Sequence, residues 1–425
     1  MINDPFTLTF HLKQQTPHLH FLHRQAGPTL RITELKAKLD RLIAKHEFQD
    51  QFEQAREYLV GYNHANGKRD ALKTKWDNEH FRAFDYRMRL DFPTRAEDKQ
   101  EMWAISTPSA KFGKTIKNES NDDYLAETPY FADNDKTDLL HEDLKKGILF
   151  IKPIQLSIFT LHDRLRKALK ECLPMLIAQE NFGCRQSKGF GSYWLENQSF
   201  EEAVKKLIDK GEIQGAWSLR KTFRPEDLND LFRQISSDYR SIKSGFNHPM
   251  DPSKYKKSLL FTYFADKSNI RWEKRKIKQD IQLVRPGILK QNRDPLDRAN
   301  GKDENYYQDP PGSNYEYKYI RALLGLAEQF EFQSSYGDKI KVKVSHPDIE
   351  RFKSPITIKV VNGRIYWLAL HHQTDNIVGK VFEFSAEQGS TSFFRNTPIA
   401  VPTKFDLGDF LQQHLTTLGY SPLNR

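Results

Sequence analysis

The chain has 425 residues, with 66 Lys and Arg against 56 Asp and Glu, for a formal net charge of +10. That length holds two domains with real cores, and the positive balance suits a polyanionic partner such as RNA, DNA or an acidic membrane surface. Two cysteines, Cys172 and Cys184, exclude a disulfide framework and a cysteine-rich zinc site, and no apolar run or leader-like N-terminus points to a membrane, so a soluble cytoplasmic protein is expected.

Phe6 to Phe10 alternates apolar and polar side chains, as a half-buried strand does, until Thr16-Pro17 breaks the ladder. His18 to His23 continues extended, and residues 25–28 read as a turn. Thr33 is placed to cap a helix over Glu34–Ala44, with Leu35, Leu39, Leu42 and Ile43 on one face. Residues 45–145 read as a polar insertion, with short strands at Phe84–Phe92 and Trp103–Thr107 and an acid-rich excursion at Asn118–Asp143.

Ile148–Thr160 is strongly β-prone, and Pro153 implies an edge or a bulge there. Leu165, Leu169, Leu173 and Leu176 mark a helix over Asp163–Glu180 that Pro174 kinks or shortens. A glycine-rich loop follows, then a strand at Ser192–Glu196. This order fits a βαββαβ, ferredoxin-like (RRM-like) unit with an expanded middle. Helices are expected at Ala203–Lys210 and Pro225–Ile242, and a domain junction at Asn247–Lys257.

Ser258–Ala265 reads as the strand that opens a second unit, followed by the basic run Arg271–Lys278, a loop over 285–314 and a helix over Tyr317–Phe332. Strands are expected at Ile340–Val344, Ile356–Val361, Ile365–Leu370 and Val381–Ser385. The fold class is therefore α+β: two ferredoxin-like domains with large insertions, over residues 1–245 and 246–425.

The loop carries the chemistry. Asn-Phe-Gly-Cys-Arg-Gln-Ser-Lys-Gly-Phe-Gly-Ser-Tyr-Trp-Leu, residues 181–195, brackets Arg185 and Lys188 with Gly183, Gly189 and Gly191. Glycines allow positive φ and close backbone approach, and the cations supply charge for a phosphate. NTPase and dinucleotide loops need strand, loop, helix; here the order is helix, loop, strand, so both nucleotide readings fail. Phe182, Phe190, Tyr193 and Trp194 offer aromatic faces, but strand alternation puts at least one of Tyr193 and Trp194 in the core; Trp194 is the expected core residue and Phe190 a packing anchor.

Helix, then Phe-Gly-Cys-Arg-Gln-Ser-Lys-Gly-Phe-Gly-Ser, then strand resembles the glycine-rich signature of the RAMP superfamily, the ferredoxin-like RNA-binding proteins of CRISPR effector complexes. Thr16-Pro17, Leu30-Arg31 and Leu35-Lys36-Ala37-Lys38-Leu39-Asp40-Arg41, with Arg351-Phe352-Lys353-Ser354-Pro355-Ile356, resemble the tandem-RAMP subunit of type III-B (Cmr) complexes. Ala37 stands where that family's helix usually carries glycine, and Gly389-Ser390-Thr391 is the candidate glycine loop of the second half.

The resemblance implies a noncatalytic subunit that holds guide RNA, or the guide–target duplex, near its 3′ end in antiviral defence, with other type III subunits as partners and no cofactor. The expected RNA-binding residues are Gly183, Arg185, Lys188, Gly189, Phe190, Gly191, Arg31, Lys36 and Lys38. Lys36 and Lys38, two apart on a helix, point to different faces. The alternative is a guide-RNA-processing endoribonuclease of the same superfamily, which often uses histidine; His18, His20 and His23 keep it open, whereas no carboxylate stands near them to complete a metal site.

Overall fold

The computed structural model describes residues 4–18, 29–62, 69–95, 98–105, 115–117, 123–125, 144–183, 185–224, 227–245, 256–267, 269–289, 312, 314–326, 329–371, 374–389 and 391–423. His20, His23, His372, Cys184, Ser390 and most of 118–143, 247–257 and 285–314 lie outside them.

The first sheet contains β1 (Thr7–Gln14), β2 (Arg87–Asp91), β3 (Ile154–Phe159) and β4 (Tyr193–Leu195), in the order β2-β3-β1-β4, every pair antiparallel. Helices α1 (Ile32–Phe48), α2 (Arg69–Glu79), α3 (Asp163–Gln179) and α4 (Phe200–Asp209) complete this half. Leu35, Leu39 and Ile43 of α1 and Leu165, Leu169 and Leu173 of α3 share one buried core with Leu12, Leu156 and Ile158 from the sheet. Their 3.6-residue and two-residue spacings are the pattern visible in the chain. Pro174 stays inside α3. Pro153 lies in the break between the strand Leu144–Phe150 and β3, where no ladder hydrogen bond is lost.

The second sheet contains β5 (Ile213–Thr222), β6 (Ile356–Val361), β7 (Arg364–Leu370) and β8 (Tyr420–Pro422), in the order β6-β7-β5-β8, again all antiparallel. Helices α5 (Leu228–Lys243), α6 (Leu259–Lys267), α7 (Glu273–Val284) and α8 (Leu407–Thr417) belong to this half. A further four-stranded antiparallel sheet is built from residues 329–333, 339–345, 381–388 and 391–400.

The second sheet is covered on both faces. Ile356, Ile358, Val360, Ile365 and Trp367 join the core of α5 and α8, whereas Val361, Tyr366, Leu368 and Leu370 join the core of the first half. Burial on both sides explains why 356–361 and 364–370 read as near-continuous apolar runs rather than alternating ones. The expected boundary between 245 and 246 is crossed by this sheet: β5 pairs with β7 and β8, whose residues come from far beyond it.

Four local expectations are corrected. The first helix begins at Ile32, behind an extended Arg31 that makes no side-chain cap, and runs to Phe48, so Thr33 lies inside it. Residues 45–62 and 69–92 are not a polar insertion, because Phe48, Phe52, Leu59, Trp76 and Phe84 are buried in the first core. Short helices with widely spaced apolar residues conceal such a contribution. Ser258–Ala265 is helical rather than a strand: the Ser258 hydroxyl accepts from the Phe261 amide at 3.2 Å, and Leu260, Tyr263 and Phe264 bury one face.

The helix expected over Tyr317–Phe332 is instead a strand at Glu316–Lys318, a short 3₁₀ turn at Ile320–Leu324 and a strand at Gln329–Gln333. Gly325 at φ +106° ends the turn, and burial of Ile320, Ala322, Leu323 and Leu324 together leaves no polar face for an amphipathic helix. Of the candidate second glycine loop, Gly389 has φ +57° and Thr391 begins a strand of the third sheet.

Candidate nucleic-acid interface

The two motifs singled out in the first half meet in space. The Thr16 hydroxyl donates to the Gly189 carbonyl at 2.7 Å and accepts from the Ser192 amide at 2.9 Å, and the Gly191 amide donates to the Pro17 carbonyl at 2.9 Å. A threonine at the end of β1 thus fixes both ends of the loop's second turn. Gly183, Arg185, Gly189 and Gly191 all have positive φ. The need is steric at Gly191, where a Cβ would lie 1.8 Å from the Phe182 carbonyl oxygen.

The loop's outer curve rests against the second half. Asn181 donates through Nδ2 to the Gln186 carbonyl at 2.6 Å and the Ile358 carbonyl at 2.7 Å, and the Ser192 hydroxyl donates to the Val360 carbonyl at 2.8 Å. Phe190 enters the second core, stacked on Phe232 with centroids 4.1 Å apart. Lys359, mid-strand in β6 and fully buried, turns its ammonium toward the first half and donates to the Glu180 carbonyl at 2.8 Å. Burial pushes it down to about 7, against the pull of Glu180.

Glu180 closes the junction. Its carboxylate binds Lys38 and Lys353, each at 2.9 Å. Burial raises its pKa, but Lys353 and Lys38 together outweigh burial and hold it below the usual carboxylate range.

The nine expected site residues therefore fall in different settings. Gly189, Phe190 and Gly191 are buried. Lys188 lies over the Tyr239 ring, and burial, then Lys243 and Arg185, press its pKa well down. Lys36 bonds Asp40 at 3.1 Å and the Phe84 carbonyl at 2.9 Å and stacks on Tyr86. Lys38 serves Glu180 and Glu34. Gly183 and Arg185 are half-buried, and Arg31 is exposed at the start of α1. Glu34 joins helix and loop: its Oε1 accepts from Gln186 Nε2 at 3.1 Å and from the Gly183 amide at 3.4 Å.

The aromatic residues are consumed by packing. Phe182, Tyr193 and Trp194 are all buried in the first core, since β4 is covered on both faces, and Tyr193 Oη lies 3.1 Å from Nδ1 of a buried His18. Among the described residues no group of three His, Cys, Asp or Glu side chains is placed to hold a metal. No helix among them is long and apolar enough to cross a membrane.

In the second half the turn between α8 and β8, which takes the loop's place in the strand order, is only Leu418-Gly419, with Gly419 at φ +88°. The basic run at 271–278 splits into the strand Ile270–Trp272 and the start of α7, where a fully buried Glu273 pairs with Arg321. Burial, reinforced by Arg321, pushes Lys274 down to about 7. Sequence reasoning missed the junction residues Glu180, Lys353 and Lys359. A lysine inside the apolar run Ile356–Val361 was the available signal, because a buried ammonium requires acceptors across an interface.

Sequence-family models described as the Cmr1 N-terminal domain and the Cmr1 C-terminal domain match residues 6–246 and 255–418. No curated protein sequence matches the chain. Among solved structures, the apo crystal structure of Cmr1 from Pyrococcus furiosus aligns over 98% of each chain at 11% identity and a TM-score of 0.35. A cryo-EM structure of the type III-B Cmr-beta bound to cognate target RNA also aligns, at 11% identity and a TM-score of 0.25, covering 45% of this chain and 58% of that one, less than two thirds of its length.

Proposed function

The chain belongs to the Cmr1 family, and from that membership we propose that it is a noncatalytic RNA-binding subunit of a type III-B CRISPR effector complex. It holds guide RNA, or the guide–target duplex, near the 3′ end, and works in the cytoplasm beside the other subunits. The observation that carries the reading is the match of both family models along the chain, joined to a glycine loop fastened on the Thr16-Pro17 turn.

The architecture we infer is two ferredoxin-like units. Each has one outer strand, an inner strand beside it, a central first strand and a closing fourth, the order βαββαβ chains adopt. On this reading the second unit starts at β5, near residue 213, although the N-terminal family match extends to 246.

Gly183 and Arg185 of the loop, with Arg31 at the start of α1, form the RNA-facing rim, and Lys188, Gly189, Phe190 and Gly191 form the plug that holds the loop against the second unit. Lys36 and Lys38 brace α1 beneath it. Sequence-independent holding of RNA needs cations at phosphates and amides at close approach, which a rigid rim supplies without base contacts.

The test is purification of the tagged full chain from cells that express the remaining type III-B subunits and a guide RNA. Recovery of partner subunits with guide RNA, and no cleavage of repeat-containing RNA by the chain alone, is the expected result. Metal-free cleavage at a defined site would replace this reading with the endoribonuclease.

A further inference from the structure

Over β1, β2 and β3 the first sheet has one face on the core and one open to solvent, whereas β4 is covered on both. Cross-strand pairing sets the open face in rows: Arg87 beside Phe159 beside Thr7, then Arg89, Ser157 and Thr9, then Asp91, Gln155 and His11. Lys13 continues β1 on the same side, since side chains two apart share a face. The intervening residues, Met88, Ile158 and Leu8 among them, turn to the core.

An open antiparallel face is ordinarily polar. Here Phe159, on an inner strand, is 40% exposed, and its ring meets the equally exposed Phe6 edge-on, with centroids 6.5 Å apart and planes at 63°. Leu161 beyond it is 66% exposed. Neither ring contributes to the core. Arg87 and Arg89 are exposed beside them, and His11 and Lys13 are exposed farther along β1.

Of the carboxylates that border the face, Asp91 and Asp4 are engaged. Asp91 bonds Arg89 at 2.7 Å, and Asp4 accepts from the Phe6 amide at 3.0 Å and from the Thr7 hydroxyl. Cations around an exposed aromatic on a flat, rigid platform match the two requirements of single-stranded RNA, phosphate neutralisation and a stacking surface.

We propose that this open face of the first sheet, centred on Phe159 with Arg87 and Arg89, is a second binding site for single-stranded RNA, separate from the glycine-loop rim. The inference rests on the RNA-binding reading above. A base stacks on Phe159, Phe6 walls its edge, and the guanidinium groups of the outer strand take the flanking phosphates. Asp91 holds Arg89 back and so limits affinity.

The experiment measures binding of a labelled oligouridylate to the full-length chain across a salt series. Phe159→Ala is expected to weaken binding by about five- to a hundredfold. Arg87→Ala with Arg89→Ala should flatten the salt slope by about 1.4, two phosphates at the single-strand coefficient. Asp91→Asn should tighten binding, which a merely structural role would not produce.

All four side chains lie on the surface, and an unchanged melting transition confirms that the variants fold. Wild-type affinity and slope in every face variant, with loss in Arg31→Ala plus Arg185→Ala, would overturn the second site and leave the function standing. Absence of RNA binding by the wild type and its assembled complex would remove both. Loss of partner-subunit recovery with RNA affinity intact would make the face a protein interface and overturn the proposal.

Discussion

Phe190 of the first half stacks on Phe232 of the second, with rings 11° from parallel and centroids 4.1 Å apart. The stack makes Phe190 the packing anchor expected of it and seats the loop between α5 and β6. Gly189 permits the approach: a Cβ there would lie 2.9 Å from Ile235 Cδ1 and within 4 Å of Val360 and Ile358. Replacing Phe190 with Ala removes a fully buried ring, and we expect a loss of about 3–5 kcal/mol, read as a lower urea midpoint. A loss under about 1 kcal/mol would mean the loop is not anchored by this ring.

Gly191 and Gly211 both adopt positive φ, but their surroundings differ. An added Cβ would strike the Phe182 carbonyl at Gly191 and meet nothing within 4 Å at Gly211. Gly211→Ala should cost about 1 kcal/mol, the left-handed penalty alone. Gly191→Ala should cost about 3 kcal/mol or more, because the backbone itself must move. Equal midpoints for the two variants in thermal melts would contradict the packed geometry.

Lys188 tests the division of the loop into rim and plug. Its ammonium lies over Tyr239 and is depressed by burial and by Lys243 and Arg185. Lys188→Met keeps the stem and removes the half-buried charge, so the melting temperature at pH 7 should rise and RNA affinity should hold. A tenfold or greater loss of affinity with an unchanged salt-free fold would return Lys188 to the RNA contact.

The buried lysines give the chain an unusual pH response. Burial holds Lys359 at about 7, so above that pH the folded chain has released a proton that the unfolded chain keeps up to its ordinary value near 10.5. Folding stability from this group therefore rises with pH between about 7 and 10.5. Lys243 and Lys274, each also lowered by burial to about 7, act in the same direction. Lys359→Met should reduce the slope of stability against pH in that window by about 1.4 kcal/mol per pH unit, measured by urea unfolding at pH 8 and 9. An identical slope would show that Lys359 keeps its proton.

Glu180 responds with the opposite sign. Its folded pKa is depressed by Lys353 and Lys38 against burial, so its contribution is complete above the ordinary carboxylate value of 4.5 and is lost as pH falls through the lower folded value. Glu180→Gln should cost about 1–3 kcal/mol at pH 7, discounted because Lys353 is partly exposed, and should abolish the coupling between Lys38→Ala and Lys353→Ala in a double-mutant cycle. Fully additive lysine variants in the wild-type background would remove the clasp.

Much was legible in the chain alone. The alternation of β1, the leucine repeat of α3, the glycine spacing and the apolar runs 356–361 and 365–370 each follow from local geometry, because helix and strand periods are written in neighbouring residues. The resemblance drawn from Thr16-Pro17 and the loop is matched by the family models over 6–246 and 255–418. The α6 segment reads as a strand because β-prone side chains such as Tyr263 and Phe264 also form, with Leu260, one buried helical face once Ser258 caps the turn.

The destination of each charge was settled only by tertiary structure. Arg31 and Lys36 are five residues apart in sequence, yet one is exposed and the other bonded to Asp40. What separates them is a partner's position in space. Likewise Lys188 and Phe190 turn inward because Ile358, Val360 and Phe232, distant in the chain, arrive at the loop. Spacing along a chain determines which face a residue occupies; what covers that face is decided by segments whose distance in sequence leaves no local trace.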